Sequence, residues 1–139
     1  MRRYLVVSNQ TLSSEALVDK IRSCLDAGPC RFHVVVPATH THDHLTWTEG
    51  RDRAIAKRRL DDALERFRAM GAEADGEVGD ARPLDAIGDA MRDQPPFDEI
   101  ILITLSPGVS RWLHQDLPHR ARRTFRLPLT HLVAETAHA

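Results

Sequence analysis

Glu99-Ile100-Ile101-Leu102-Ile103-Thr104-Leu105, followed by Ser106-Pro107-Gly108-Val109-Ser110, is the stretch that decides the fold. Four aliphatic residues in a row read as a strand buried on both faces, since a half-exposed strand alternates apolar with polar residues. Ser106-Pro107-Gly108 is a turn, and residues 110–124 read as a helix with a break near Pro118. A strand hidden on both sides needs a layer of helices above and below it.

The sequence on either side supplies those layers. Before the strand, Pro83 fits the first turn of a helix with Leu84, Ile87 and Met91 on one face, and Pro95-Pro96 ends it. Ala72 to Val78 is a weaker, polar strand suited to a sheet edge, and Gly79-Asp80 turns the chain. A long helix spans about Glu49 to Met70, with Ala56, Leu60, Ala63, Leu64 and Phe67 on its apolar face and Gly71 as its C-terminal cap. Phe32 to Val36 is a strand with three successive valines, closed by Pro37. Tyr4 to Val7 is another strand. Hydroxyl N-cap candidates between Thr11 and Ser14 then open a helix bearing Leu17, Val18, Ile21 and Leu25, which Gly28-Pro29 stops. Leu127 to Val133 is the closing strand. The β-α-β-α-β-α-β-α-β order predicts one α/β domain over residues 1–139: a three-layer α/β/α sandwich with a five-stranded, mainly parallel sheet.

Composition narrows the function classes. A chain of 139 residues with 42% hydrophobic residues can bury a core without staples. A net charge of −1 argues against nucleic-acid binding driven by overall charge. No apolar run approaches the roughly 20 residues of a membrane helix. After Met1-Arg2-Arg3 only Tyr4 to Val7 is apolar, too short for a signal-peptide core. Cys24 and Cys30 lack metal or redox spacing and read as reduced packing residues, which points to the cytoplasm. The near-neutral total conceals a split. Residues 71–99 carry nine acids against two bases, and residues 111–126 carry five arginines against one acid.

In open α/β sheets ligands sit beyond the carboxyl ends of the strands, where strand order reverses. That places Ser8 and Asn9 after the first strand, Pro37 after the second, and Ser106, Gly108, Ser110 and Arg111 after the fourth as candidate ligand-binding residues. Serine hydroxyls, a glycine that admits close backbone approach and an arginine at a helix start suit a small anion. The same residues also suffice for an ordinary turn with a serine cap. The segment is not a P-loop, and no G-x-G occurs anywhere in the chain.

Element order, length, the Gly79-Asp80 turn before a helix, and the closing Leu127-Pro128-Leu129-Thr130-His131-Leu132-Val133 together resemble the universal stress protein family. The resemblance implies strand order 3-2-1-4-5 and a homodimer in which the last strand, Leu127 to Val133, pairs across the axis. Nucleotide-binding members carry an aspartate after the first strand and a G-x2-G-x9-G-[ST] segment after the fourth. Here Ser8-Asn9 stands in the first place, and Ile103, Ser106, Asp116 and Leu117 stand in the others. A carboxylate at 116 would repel phosphate, so the family's ATP site does not carry over. The expected function is a non-catalytic binding or regulatory module for a small anionic or nucleotide-like ligand, without cofactor, metal or catalytic residues. A ligand-free homodimeric interaction module is the alternative.

An enzyme reading rests on His40-Thr41-His42-Asp43-His44, which nearly matches the H-x-H-x-D-H ligand set of metallo-hydrolases but is one residue short between the second His and the Asp. A metal-assisted hydrolase using His40 to His44 is therefore a further alternative, against a solvated polar loop. No G-x-S-x-G elbow is present. Cys24 reads as core, and His131 as a satisfied or exposed strand residue. The basic segment Arg111, Arg120, Arg122, Arg123 and Arg126 reads as a solvated or subunit-facing helix, with Trp112 and Leu113 packed on the sheet.

Overall fold

In the computed structural model, which describes residues 1–38, 49–106 and 110–134, the strands are β1 (Arg2–Val7), β2 (Cys30–Pro37), β3 (Glu73–Gly79), β4 (Glu99–Thr104) and β5 (Leu129–Val133). They form one sheet in the order β3-β2-β1-β4-β5. All four neighbouring pairs are parallel. The helices are α1 (Glu15–Ala27), α2 (Glu49–Ala69), α3 (Pro83–Asp93), α4 (Arg111–His114) and α5 (Leu117–Phe125).

Side chains alternate across each strand, so the long apolar runs feed two separate cores. Tyr4, Val6, Phe32, Val34, Ile101 and Ile103 face the α1–α2 layer and meet Leu17, Ile21, Leu60, Leu64 and Phe67. Leu5, Val7, Val35, Ile100 and Leu102 face the opposite layer and meet Ile87, Ala90, Leu117 and Ala121. Each large aliphatic or aromatic side chain buried this way stabilises the fold by about 1.5–3 kcal/mol. The five apolar positions read from the α2 sequence are all buried.

Local signals act as the residue types predict. Ser14 caps α1 by accepting a hydrogen bond from Leu17 N at 3.3 Å. Gly71 follows α2 with φ +95°, a conformation open to glycine. Gly76 of β3 serves packing instead: a Cβ there would lie 2.5 Å from the Val34 carbonyl oxygen and 2.7 Å from Leu60 Cδ1. Its missing side chain lets α2 settle on the sheet.

Two boundaries are sharpened. The break expected near Pro118 divides residues 110–124 into two helices, α4 and α5. Asp116, at φ 56° and ψ 40°, turns the chain between them, and Pro118 sits in the first turn of α5. The closing strand starts at Leu129, two residues later than its apolar run, because Leu127 packs below the sheet against the α3–α5 core.

Candidate functional site

Strand order reverses between β1 and β4, since β2 and β3 lie on one side of β1 and β4 and β5 on the other. The segment leaving β1 closes over this point. Ser8 is fully buried, and its hydroxyl pairs with that of Thr11. Thr11 Oγ1 in turn donates to the Ile103 carbonyl of β4 at 3.1 Å. Buried hydroxyls left unpaired would cost about 1–3 kcal/mol each, so this chain of bonds fixes the loop.

Asn9 is also buried, and it bridges outward. Its Nδ2 donates to the Pro37 carbonyl at 2.7 Å, while its Oδ1 accepts from Nη1 of Arg59 on α2. Ser8, Asn9 and Pro37, the candidates after the first two strands, therefore meet at the carboxyl end of the sheet.

The β4 candidates form a separate group. Ser110 is buried and its backbone N donates to the Ser106 carbonyl at 3.0 Å. Ser110 Oγ accepts from Leu113 N at 3.2 Å, which caps α4. Gly108 and the Arg111 side chain lie outside the described residues, as does the His40–His44 loop. Among the described residues, no group of three His, Cys, Asp or Glu is placed to hold a metal ion.

The residue that sequence reasoning missed is Arg59. Its guanidinium is half-buried, and burial holds its pKa below the usual arginine value. Beside it lies an open pocket of about 250 Å3, floored by Leu12 and Ala63 and walled by Asn9, Arg59, Asp62 and Arg66. Arg66 Nη1 reaches across to the Ser13 carbonyl at 3.2 Å. Nothing in the charged run of α2 separates Arg59 from its neighbours Arg58 and Lys57. Only the packing of α2 against the β1–α1 loop does so.

Two further histidine contacts were not legible as partners. His33 of β2 is buried with Nδ1 2.9 Å from Asp75 Oδ1 and Nε2 2.8 Å from Glu77 Oε2, both on β3. Both ring nitrogens are thereby occupied, so the group is a clasp between strands. His131 Nε2 lies 2.8 Å from Thr104 Oγ1, and its pKa is lowered by burial and by the charge of Arg122. Cys24 and Cys30 are buried and unbridged, and burial raises the Cys30 thiol.

A five-stranded parallel sheet in this order, with helices on both faces and a polar cluster at the switch point, defines a doubly wound α/β protein. No protein-family model matches the chain, and no curated protein does. Solved structures do. A protein of the universal stress protein family from Burkholderia pseudomallei superimposes with a TM-score of 0.66 at 18% identity, covering 94% of each chain. A universal stress protein from Archaeoglobus fulgidus gives 0.58 at 18% identity, over 94% of this chain and 93% of that one. The fold is thus that of universal stress proteins.

Proposed function

We propose that the chain is a non-catalytic binding or regulatory module of the universal-stress-protein kind, which takes a small anionic or nucleotide-like ligand at the carboxyl end of the sheet. The observation that carries this reading is the meeting of Ser8, Asn9 and Pro37 at the switch point. The fold shared with the Burkholderia and Archaeoglobus proteins supports it. The ligand is not ATP held by the family motif, because Ser8-Asn9 and Asp116 replace the residues that motif needs. The buried, unbridged Cys24 and Cys30 fit the reducing cytoplasm. Among the described residues no helix is long and apolar enough to cross a membrane.

Calorimetric titration with ATP, AMP and cyclic nucleotides tests the reading. Weak binding of one of them without turnover is the expected result. Tight ATP binding with hydrolysis would overturn it.

A second reading is a homodimer joined through β5. Its support is the place of that strand at the end of the sheet, beside no further strand among the described residues, with Val133 44% exposed. Light scattering that finds a monomer at micromolar concentration would remove it.

A further inference from the structure

We propose that the pocket between the β1–α1 loop and α2 is a subsite for a small phosphomonoester, with Arg59 and Arg66 on the phosphate and Asp62 on a neighbouring hydroxyl of the same molecule. It is separate from the β4 side of the switch point and shares only Asn9 with it.

Charge carries the first step. Among the described residues Arg59 has no carboxylate partner, and its hydrogen bond goes to the neutral amide of Asn9. A guanidinium partly withdrawn from water without an anion is less favourable than one that is paired, and an incoming anion relieves it. The lowered pKa of Arg59 reports the same strain, since burial is its cause. Arg66 also lacks a carboxylate partner among the described residues and is anchored on the Ser13 carbonyl. Arg59 and Arg66 are seven residues apart, two turns along one face of α2, so long side chains can serve one ligand.

Rigidity carries the second. Asn9 is fixed by Pro37, and it holds Arg59 in place before any ligand arrives. Pre-organised guanidinium forks favour oxyanions, and two of them suit the higher charge and third terminal oxygen of a phosphomonoester better than a monoanionic carboxylate. The third step is the acid. Asp62 lies on the same pocket wall yet forms no ion pair with either arginine within the described residues. It lowers the net charge of the pocket to that suited to a modest anion, and it can accept from a hydroxyl. Finally, about 250 Å3 falls below the roughly 300–1,000 Å3 of sites for larger ligands. A sugar-phosphate-sized molecule is the appropriate class.

The test is calorimetry at low ionic strength with inorganic phosphate, ribose 5-phosphate, ribose and acetate. Ribose 5-phosphate should bind more tightly than phosphate, and ribose alone should not bind. R66Q should weaken both phosphates about tenfold, the loss of one charge-assisted pair. Arg66 is exposed, so R66Q should keep the native melting temperature. R59Q should do the same to binding, but it also removes the Asn9 contact and is secondary. D62N should tighten inorganic phosphate and weaken the preference for ribose 5-phosphate over it. Phosphate binding weakened about tenfold in R66Q with ATP or cyclic-nucleotide binding retained would separate this subsite from the switch-point site and support the proposal. No phosphate binding at millimolar concentration, acetate binding as well as phosphate, or phosphate binding unchanged in R66Q would overturn it, whether or not nucleotides bind.

Discussion

The two edges of the sheet solve the same problem in opposite ways. An edge strand presents unpaired backbone groups that invite another strand. At β3 the acids Glu73, Asp75 and Glu77 alternate along one face and are engaged from within by Arg31 and His33 of β2. A second copy laid two-fold against β3 would bring these acids against each other. At β5 the corresponding positions are Leu129, His131 and Val133, and Val133 is 44% exposed. His131 is tied inward to Thr104, Thr130 to Glu99 at 2.7 Å, and Arg122 Nη2 donates to the Leu129 carbonyl at 3.3 Å, so among the described residues this edge carries no row of like charges. A row of acids lines one edge, while the described part of the other has a single arginine contact and an exposed valine.

The largest effect is expected where that contrast is broken. Val133→Lys gives β5 the charged character of β3. If β5 pairs across a two-fold axis, each lysine is carried into the interface opposite the partner strand and must be desolvated there without a carboxylate partner, and dimer affinity should fall by about a hundredfold or more. Sedimentation across a micromolar concentration series reads this. An unchanged association constant would exclude β5 as the contact.

A smaller effect is expected at the opposite edge. Gly76→Ala places a Cβ 2.5 Å from the Val34 carbonyl oxygen, a backbone atom that cannot swing aside. Overpacking of this kind costs about 1–3 kcal/mol. The urea midpoint should drop accordingly with an unchanged slope. Wild-type stability in this variant would mean that β3 shifts freely, and the clasp at His33 would then not be fixing it.

These two edges also show what the sequence could and could not carry. The polar run from Ala72 to Val78 marks β3 as an edge because buried parallel strands are continuously apolar, as Ile100 to Ile103 are. Each helix face followed from apolar spacing, since burial depends on periodicity within one segment. Strand pairing does not. Arg31 and His33 become the partners of Glu73, Asp75 and Glu77 only when the register sets Arg31 beside Glu73 and His33 beside Asp75. The candidate site divides along the same line. Ser8, Asn9 and Pro37 were legible because they end strands that must lie side by side. Thr11 and Arg59 were not, because one hydroxyl in Thr11 to Ser14 and one arginine in a charged helix are selected by tertiary packing alone.

The smallest effect concerns the histidine of the β5 edge. Burial, and then the charge of Arg122, hold His131 below its ordinary pKa of 6.5. The neutral ring is therefore favoured in the folded chain, and its Nε2 can accept the Thr104 hydroxyl at 2.8 Å. In the window between the lowered folded value and 6.5 the unfolded chain binds more protons than the folded one. Stability from this group is then fully present above the unfolded value and is lost as pH falls through the folded value. His131→Gln should flatten that part of the slope between pH about 5 and 7, where histidines titrate. The comparison is the difference in urea midpoint between the variant and the parent at each pH, which cancels the other titrating groups. Because the imidazole is only partly buried, the change should stay under about 1 kcal/mol. A parallel pair of profiles would mean that β5 is held by its backbone ladder to β4, and that the hydroxyl–imidazole contact does not stabilise that edge.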